Sequence, residues 1–293
     1  MLYKQIEQNK RKTIWLMLLF SLTVTALGWG VGYLLNGDYY SGLIITLVIL
    51  AFYLPTTYMT ANSQVLSMSG AKEIKKEDNP MLFNIVEELS IAANVPMPKI
   101  YIVDDPAPNA FATGTKPENG SVAFTTGLLD RLNREELAGV AAHELAHIRN
   151  YDIRLMTICI ALVGVIAIIA DFGSRMLYFR GGRSRNQKTH PALLIIALIL
   201  IILAPLAAQF VHFAVSRNRE YLADASAVEF TRNPTGLKNA LLKISQSPEE
   251  VKQAKDATAA MYISNPFKKK RRKSSLFATH PPIESRIERL EKM

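Results

Sequence analysis

Asn133-Arg134-Glu135-Glu136-Leu137-Ala138-Gly139-Val140-Ala141-Ala142-His143-Glu144-Leu145-Ala146-His147 reads as one helix with a chemical face and a packing face. Asn133 is suited to cap it, and Glu135 and Glu136 complement the positive end of the helix dipole. His143 and His147 are four residues apart, so they share a face one turn apart. Two imidazoles at this spacing can hold one zinc ion, with Glu144 beside a metal-bound water. Leu137, Ala141, Leu145 and Ile148 form a separate apolar stripe, so ligand face and core face do not compete. The alternative is a surface helix with two exposed histidines. Against it, a chance His-Glu-x-x-His in a chain this long is on the order of one in a hundred.

A catalytic zinc ordinarily has three protein ligands and one open position. Other histidines are His190, His212 and His280, and acidic residues are more numerous. Among these, Arg219-Glu220-Tyr221-Leu222-Ala223-Asp224 stands out, because it puts Glu220 and Asp224 four apart on an expected helix. The 72 residues between His147 and Glu220 would be awkward in a compact soluble domain. Two apolar blocks, about 155–170 and 193–215, resolve the gap: a hairpin through a membrane carries the chain away and returns it on the same side.

Two more such blocks open the chain, about Thr13 to Leu35 and Tyr39 to Thr60, joined only by Asn36-Gly37-Asp38. Each is long enough to cross roughly 30 Å of hydrocarbon as a helix. A cleavable signal peptide is the alternative for the first, but the run is too long and no small-x-small cleavage site follows cleanly. The third block is marginal in length, and a buried or interfacial helix remains open for it. Lys4, Lys10, Arg11 and Lys12 put the N-terminus and the 61–153 segment in the cytoplasm by the positive-inside rule. The 172–190 loop, with Arg175, Arg180, Arg183, Arg185 and Lys188, runs against that topology.

The formal charge of +9 fits basic residues flanking membrane spans, and no RNA-binding signature or zinc-finger spacing supports nucleic acid. The lone Cys159 excludes an intramolecular disulfide. Residues 61–153 read as mixed α/β. A helix follows Asn79-Pro80 through Ala93, and strands are expected at Lys99 to Val103, Ala110 to Thr113 and Ser121 to Thr125. Residues 216–293 read as helical, interrupted by the basic stretch Lys268 to Ser275, whose readings are a solvated loop or a lipid head-group contact.

Taken together, the chain resembles the HtpX-type membrane zinc metalloproteases, whose peptidase family also includes the eukaryotic CAAX prenyl endoproteases. The resemblance is carried by the initial hydrophobic hairpin, Asn109-Ala110-Phe111-Ala112-Thr113-Gly114, Leu132 to Leu137, His143 to His147, Arg219 to Asp224 and Ala278-Thr279-His280-Pro281-Pro282. It implies one Zn2+ per chain on His143, His147 and Glu220, with Glu144 as general base. Asp224 is then an outer carboxylate that orients a ligand imidazole. Asp152 is a candidate for the same task or for an ordinary salt bridge. In similar proteases a histidine near the C-terminus approaches the active site and can stabilise the oxyanion. His280 is a candidate for that role or for substrate contact, and a plain surface position is its alternative. Arg286 is a further candidate for substrate contact. Asn109, Ala110, Phe111 and Ala112 resemble the family's substrate-binding edge strand, an interior strand being the alternative.

The expected fold is therefore α+β and mostly helical: a zincin-like (gluzincin) protease domain with four hydrophobic, transmembrane helices. Its divisions are a membrane hairpin at 1–60, a first protease part at 61–153, a second hydrophobic hairpin at 154–215 and a second protease part at 216–293. The resemblance further implies a multi-pass protein of the bacterial inner membrane with a cytoplasmic active site. Its substrates would be proteins or peptides, its solvent the lipid bilayer, and its task stress-linked quality control. Three rivals differ in where the metal would sit. An intramembrane protease would bury its metal helix in a span, whereas this helix carries Arg134, Glu135, Glu136 and Arg149. A scaffold with structural zinc would close the site with four protein ligands. A zinc transporter would place ligands within several spans, which here contain almost none.

Overall fold

A computed structural model describes residues 2–163, 216–255, 258–267 and 281–293. The end of the third apolar block, the whole fourth block, the 172–190 loop, His190, His212, His280 and the basic run at 268–273 lie outside the described residues.

Helices α1 (Leu2–Asn36) and α2 (Tyr39–Met68) form the N-terminal hairpin. Asp38 starts the second by accepting hydrogen bonds from the backbone amides of Tyr40 and Ser41. Ile6–Gly30 and Tyr40–Met68, 25 and 29 residues, exceed the ~20 residues that cross a bilayer. Their outward surface is apolar: Leu22 is 68% and Phe52 73% exposed. Water penalises so large a bare apolar area, whereas hydrocarbon does not. A Cβ added to Gly32 would lie 2.6 Å from the Gly42 Cα, so the two backbones touch, as small residues allow between membrane helices.

The apolar block expected at Tyr39 to Thr60 lies within α2, which continues to Met68. Its last turns, with Val65 and Leu66, leave the apolar zone and pack on Val103, Phe111, Ala123 and Tyr262. Membrane hairpin and soluble part are thus joined by a continuous helix rather than a linker. Residues 152–163 are helical (α6), and Leu155, Ile158, Cys159 and Leu162 pack against Leu16 and Phe20 of α1 and Leu50 of α2.

The soluble part is built on a four-stranded sheet in the order β1-β2-β4-β3. Its strands are β1 (Ala71–Glu73), β2 (Lys99–Val103), β3 (Ala110–Thr113) and β4 (Ser121–Thr125). β2 and β4 are parallel, while β1 and β3 flank them antiparallel. Successive strand residues face opposite sides, and both sides are covered. Val122 and Phe124 point into the main core, whereas Ala123 points to the end of α2. Double burial explains why β4 is buried at every position.

Helices α3 (Pro80–Ala93), α4 (Thr126–Arg131), α5 (Arg134–Arg149), α7 (Arg217–Thr231), α8 (Pro234–Gln246) and α9 (Ile283–Leu290) are the other described α-helices. α5 is the central one. It is capped by the reciprocal Asn133–Glu136 pair and packs on α3, α7, α8 and β3. Leu137, Ala141, Leu145 and Ile148 are all buried in the main core. Gly139 lets α8 approach, since a Cβ there would sit 2.5 Å from the Leu237 amide nitrogen. The result is a mostly helical α+β architecture with a small sheet.

Candidate metal centre

His143 and His147 project from α5, and their Nε2 atoms lie 3.2 Å apart. Glu220 comes from the first turn of α7. Its carboxylate oxygens are 3.8 Å from His143 Nε2 and 3.6 Å from His147 Nε2. One ligand atom from each of the three residues can be chosen so that all lie within 4.8 Å of one another. Tetrahedral ligands about 2.0–2.1 Å from zinc sit roughly 3.3 Å from each other. The spacings of this trio are close to that, so the residues fit a zinc ion, and two imidazoles with one carboxylate are a donor set zinc takes.

The other nitrogen of each ring is held by a carboxylate. Asp224, one turn after Glu220 on α7, places Oδ1 3.0 Å from His143 Nδ1. Asp152 places Oδ2 3.1 Å from His147 Nδ1. Acceptance at Nδ1 fixes the proton there and turns the Nε2 lone pairs inward, towards each other and Glu220. Asp152 reaches back because the chain reverses after α5 at Tyr151, which adopts φ +58°, a left-handed conformation that non-glycine residues enter only under constraint.

Glu144 is buried, and its Oε1 has no hydrogen-bond partner. The backbone amide of Ala112 donates to its carboxylate. Burial pushes the Glu144 carboxyl up to about 8, against the pull of His147. Burial also pushes His143 down to about 4, with Arg286 adding to the effect and Asp224 opposing it. For His147, burial is outweighed by the Asp152 hydrogen bond and by the charges of Glu220, Asp152 and Glu144, which hold the ring up at about 9.

A cavity of ≈ 40 Å³ opens at this place, lined by Glu144, His147, Glu220, Ala112, Met156 and Met261 among others. Of the four residues expected along a substrate strand, Ala112 lines it. β3 is an edge strand as expected, yet Tyr262 bridges to it at Phe111, and the Ile263 amide donates to the Ala110 carbonyl at 2.9 Å. Asn109 is turned inward, its amide donating to the Ser264 carbonyl at 3.0 Å.

Arg286, a candidate for substrate contact, lies against the centre, its Nη1 3.7 Å from Glu220 Oε2 and its Nη2 3.4 Å from His143 Nε2. It lies on the buried face of α9 with Ile283 and Leu290 and is 0% exposed. Nε and Nη2 donate to Asp224 at 2.9 and 2.6 Å, and Nη1 donates to the Ile263 carbonyl at 2.8 Å. A side chain so enclosed braces Asp224 beside the two ligand candidates His143 and Glu220. Burial alone would raise the Asp224 carboxyl, but the Arg286 charge and the hydrogen bonds from His143 and Arg286 hold it far below the usual carboxylate range. Two participants escaped the sequence reading. Arg219 is 3.6 Å from Asp152 Oδ1 through Nε, and Asn9 of α1 donates to the same oxygen at 2.6 Å. A polar residue ahead of an apolar run carries no signal of such a contact.

The family model of peptidase family M48 matches residues 76–293. Relatives described as protease HtpX homologs match over the full length of both chains. They include those of Listeria monocytogenes serotype 4a (strain HCC23), 50% identical, Streptococcus uberis, 51% identical, and Ligilactobacillus salivarius, 50% identical. Among solved structures, S. mikatae Ste24p aligns at 19% identity with a TM-score of 0.46, covering 94% of this chain and 67% of that one.

Proposed function

The chain belongs to peptidase family M48, and from that membership we propose that it is a membrane-embedded, zinc-dependent endopeptidase whose centre is His143, His147 and Glu220. The observation that carries this reading is the convergence of those three side chains within 4.8 Å, beside a buried glutamate with an unpartnered oxygen. Zinc bound there supplies Lewis acidity that polarises a scissile carbonyl and makes water a nucleophile near neutral pH.

The chain's own residues do the rest. Glu144 takes the proton of the attacking water and delivers it to the leaving amine. Its elevated affinity for a proton, pushed up to about 8 by burial, suits it to both halves of that exchange. Asp152 and Asp224 keep the Nδ1 protons in place, so both rings present lone pairs at Nε2. The Ala112 amide holds the Glu144 carboxylate against β3, and an extended peptide would add by backbone hydrogen bonds to the part of the strand edge that Tyr262 and Ile263 leave open. His280 is assigned oxyanion stabilisation or substrate contact by the family resemblance.

The same reading makes the fold a gluzincin-type protease domain carried in two parts, 61–153 and 216–293. Hydrophobic hairpins at 1–60 and 154–215 give four membrane helices. The active site then faces the cytoplasm of a bacterial cell, and the substrates are misfolded or membrane proteins under quality control. That biological task rests on family analogy rather than on the chemistry of the centre.

The test is zinc content and casein cleavage, side by side, for detergent-purified wild type and Glu144→Gln. The expected result is about one zinc per chain in both proteins, with cleavage in the wild type and a loss of roughly 10²–10⁴-fold or more in the variant. Full activity of Glu144→Gln would remove Glu144 as the base, and a wild type that holds no zinc would remove the whole reading.

A further inference from the structure

Asn9 lies in the first turns of α1, in the basic segment ahead of the apolar stretch, yet it is 3% exposed. Its amide is fully engaged. Nδ2 donates to Asp152 Oδ1 at 2.6 Å and to the Asn150 carbonyl at 3.2 Å, and Oδ1 accepts from Arg219 Nη1 at 3.1 Å. The orientation of the amide follows from its neighbours, because an ionised Asp152 can only accept and Arg219 can only donate. A neutral side chain offering both a donor and an acceptor is what this position requires. Aspartate would set a carboxylate against a carboxylate, and leucine would leave Asp152 and Arg219 without it.

The contacts of these partners give the position its consequence. Asp152 spends its other oxygen on His147 Nδ1, and Arg219 is next in sequence to Glu220. One amide on the membrane hairpin therefore ties together the carboxylate behind one metal ligand and the helical turn that bears another. These segments are 143 and 210 residues from Asn9 in the chain.

We propose that Asn9 is a positioning residue of the metal centre, through which α1 holds Asp152 and Arg219 in the arrangement that presents His147 and Glu220 to the ion. This rests on the assignment of His143, His147 and Glu220 as ligands. It makes the N-terminal hairpin part of the site's framework as well as an anchor, so metal affinity depends on α1 being docked.

A charge exchange separates positioning from mere packing. In the double variant Asn9→Asp/Asp152→Asn, the amide introduced at position 152 can donate to the carboxylate introduced at position 9 and still accept from His147. The carboxylate at position 9 can still accept from Arg219. The measurement is zinc affinity by competition with a chromophoric chelator, with the d–d absorption spectrum of the cobalt-substituted protein as a second readout. All variants are studied as full-length chains in detergent. Asn9→Asp and Asn9→Ala are each expected to weaken zinc by about tenfold, the lower end for residues that orient metal ligands, and to alter the cobalt spectrum. The double variant is expected to bind more tightly than Asn9→Asp and to recover the spectrum in part, since the Asn150 carbonyl still lacks its donor. Zinc affinity within twofold of wild type in both single variants, with an unchanged spectrum, would overturn the proposal. So would a double variant as weak as the product of the Asn9→Asp effect and that of Asp152→Asn measured alone, because independent sites behave that way. Wild-type protein without zinc overturns the ligand assignment itself, which distinguishes that failure from failure of the role given to Asn9.

Discussion

Replacing Arg286 by methionine should destabilise the protein far more than it perturbs any surface the substrate meets. Asp224 is 2% exposed and is held by His143 Nδ1 on one side and by Arg286 Nε and Nη2 on the other. Arg286→Met keeps much of the volume but leaves a buried carboxylate with His143 alone, and the Ile263 carbonyl loses its donor at 2.8 Å. Breaking a buried pair by removing one partner costs about 3–5 kcal/mol, because the remaining charge stays out of water without compensation. For domains of 150–250 residues each kcal/mol lowers Tm by about 2–4 °C, so the fall should be roughly 6–20 °C. The assay is thermal unfolding of metal-free protein in detergent, followed by circular dichroism, which separates the effect from metal loss. Adding Asp224→Asn removes the stranded charge while keeping an acceptor for His143, and should recover at least half of the loss. A fall below about 2 °C in the single variant, or a double variant less stable than the single, would show that Asp224 does not depend on Arg286.

The remaining predictions use other parts of the molecule. Dialysis against a chelator should abolish casein cleavage, and zinc but not magnesium should restore it, since imidazole ligands suit zinc and magnesium prefers oxygen; cleavage that survives metal removal would contradict the proposed chemistry. Gly139→Ala places a methyl group 2.5 Å from the Leu237 amide nitrogen and should cost about 1–3 kcal/mol by overpacking, less about 1 kcal/mol gained in helix propensity. A raised Tm would show that α8 moves aside freely. Asp224 has its carboxyl held far below its ordinary 3.8, so its stabilisation is complete above that value and is lost as pH falls towards the folded-state pKa. The stability difference between wild type and Asp224→Asn should therefore be flat from pH 8 to 5 and shrink only below about pH 4; a decline already between pH 7 and 5 would contradict the depressed carboxyl.

Local features were legible where a short segment carries its own physics. The run Asn133 to His147 contains its cap, its apolar stripe and its pair of imidazoles within four turns, and all three are found on α5. The strands at 99–103, 110–113 and 121–125 were legible for the same reason: an apolar run between turn residues needs no distant partner to be recognised. β1 was not, because Ala71-Lys72-Glu73 is three residues long and partly charged, and becomes a strand only by pairing with β2. The apolar block at Tyr39 to Thr60 marks only part of α2, because polar residues follow it. The helix nevertheless continues, since Val65 and Leu66 find a core on the sheet.

By itself, then, the sequence determined the helix that carries His143, Glu144 and His147, the apolar hairpin before it, the paired Glu220 and Asp224, and the resemblance that implied their roles. Tertiary structure alone decided what stands behind those residues. Arg286 turns inward because α9 buries the face it shares with Ile283 and Leu290, which sets its guanidinium against Asp224. Asn109 turns inward because Ser264 offers it a carbonyl, and Tyr262 takes up part of the β3 edge. Asn9 meets Asp152 because α6 packs its apolar face on α1. Periodicity reports only which face of an element is buried. Which side chains meet across that burial is set by the packing of segments up to 210 residues apart, and no local pattern encodes it.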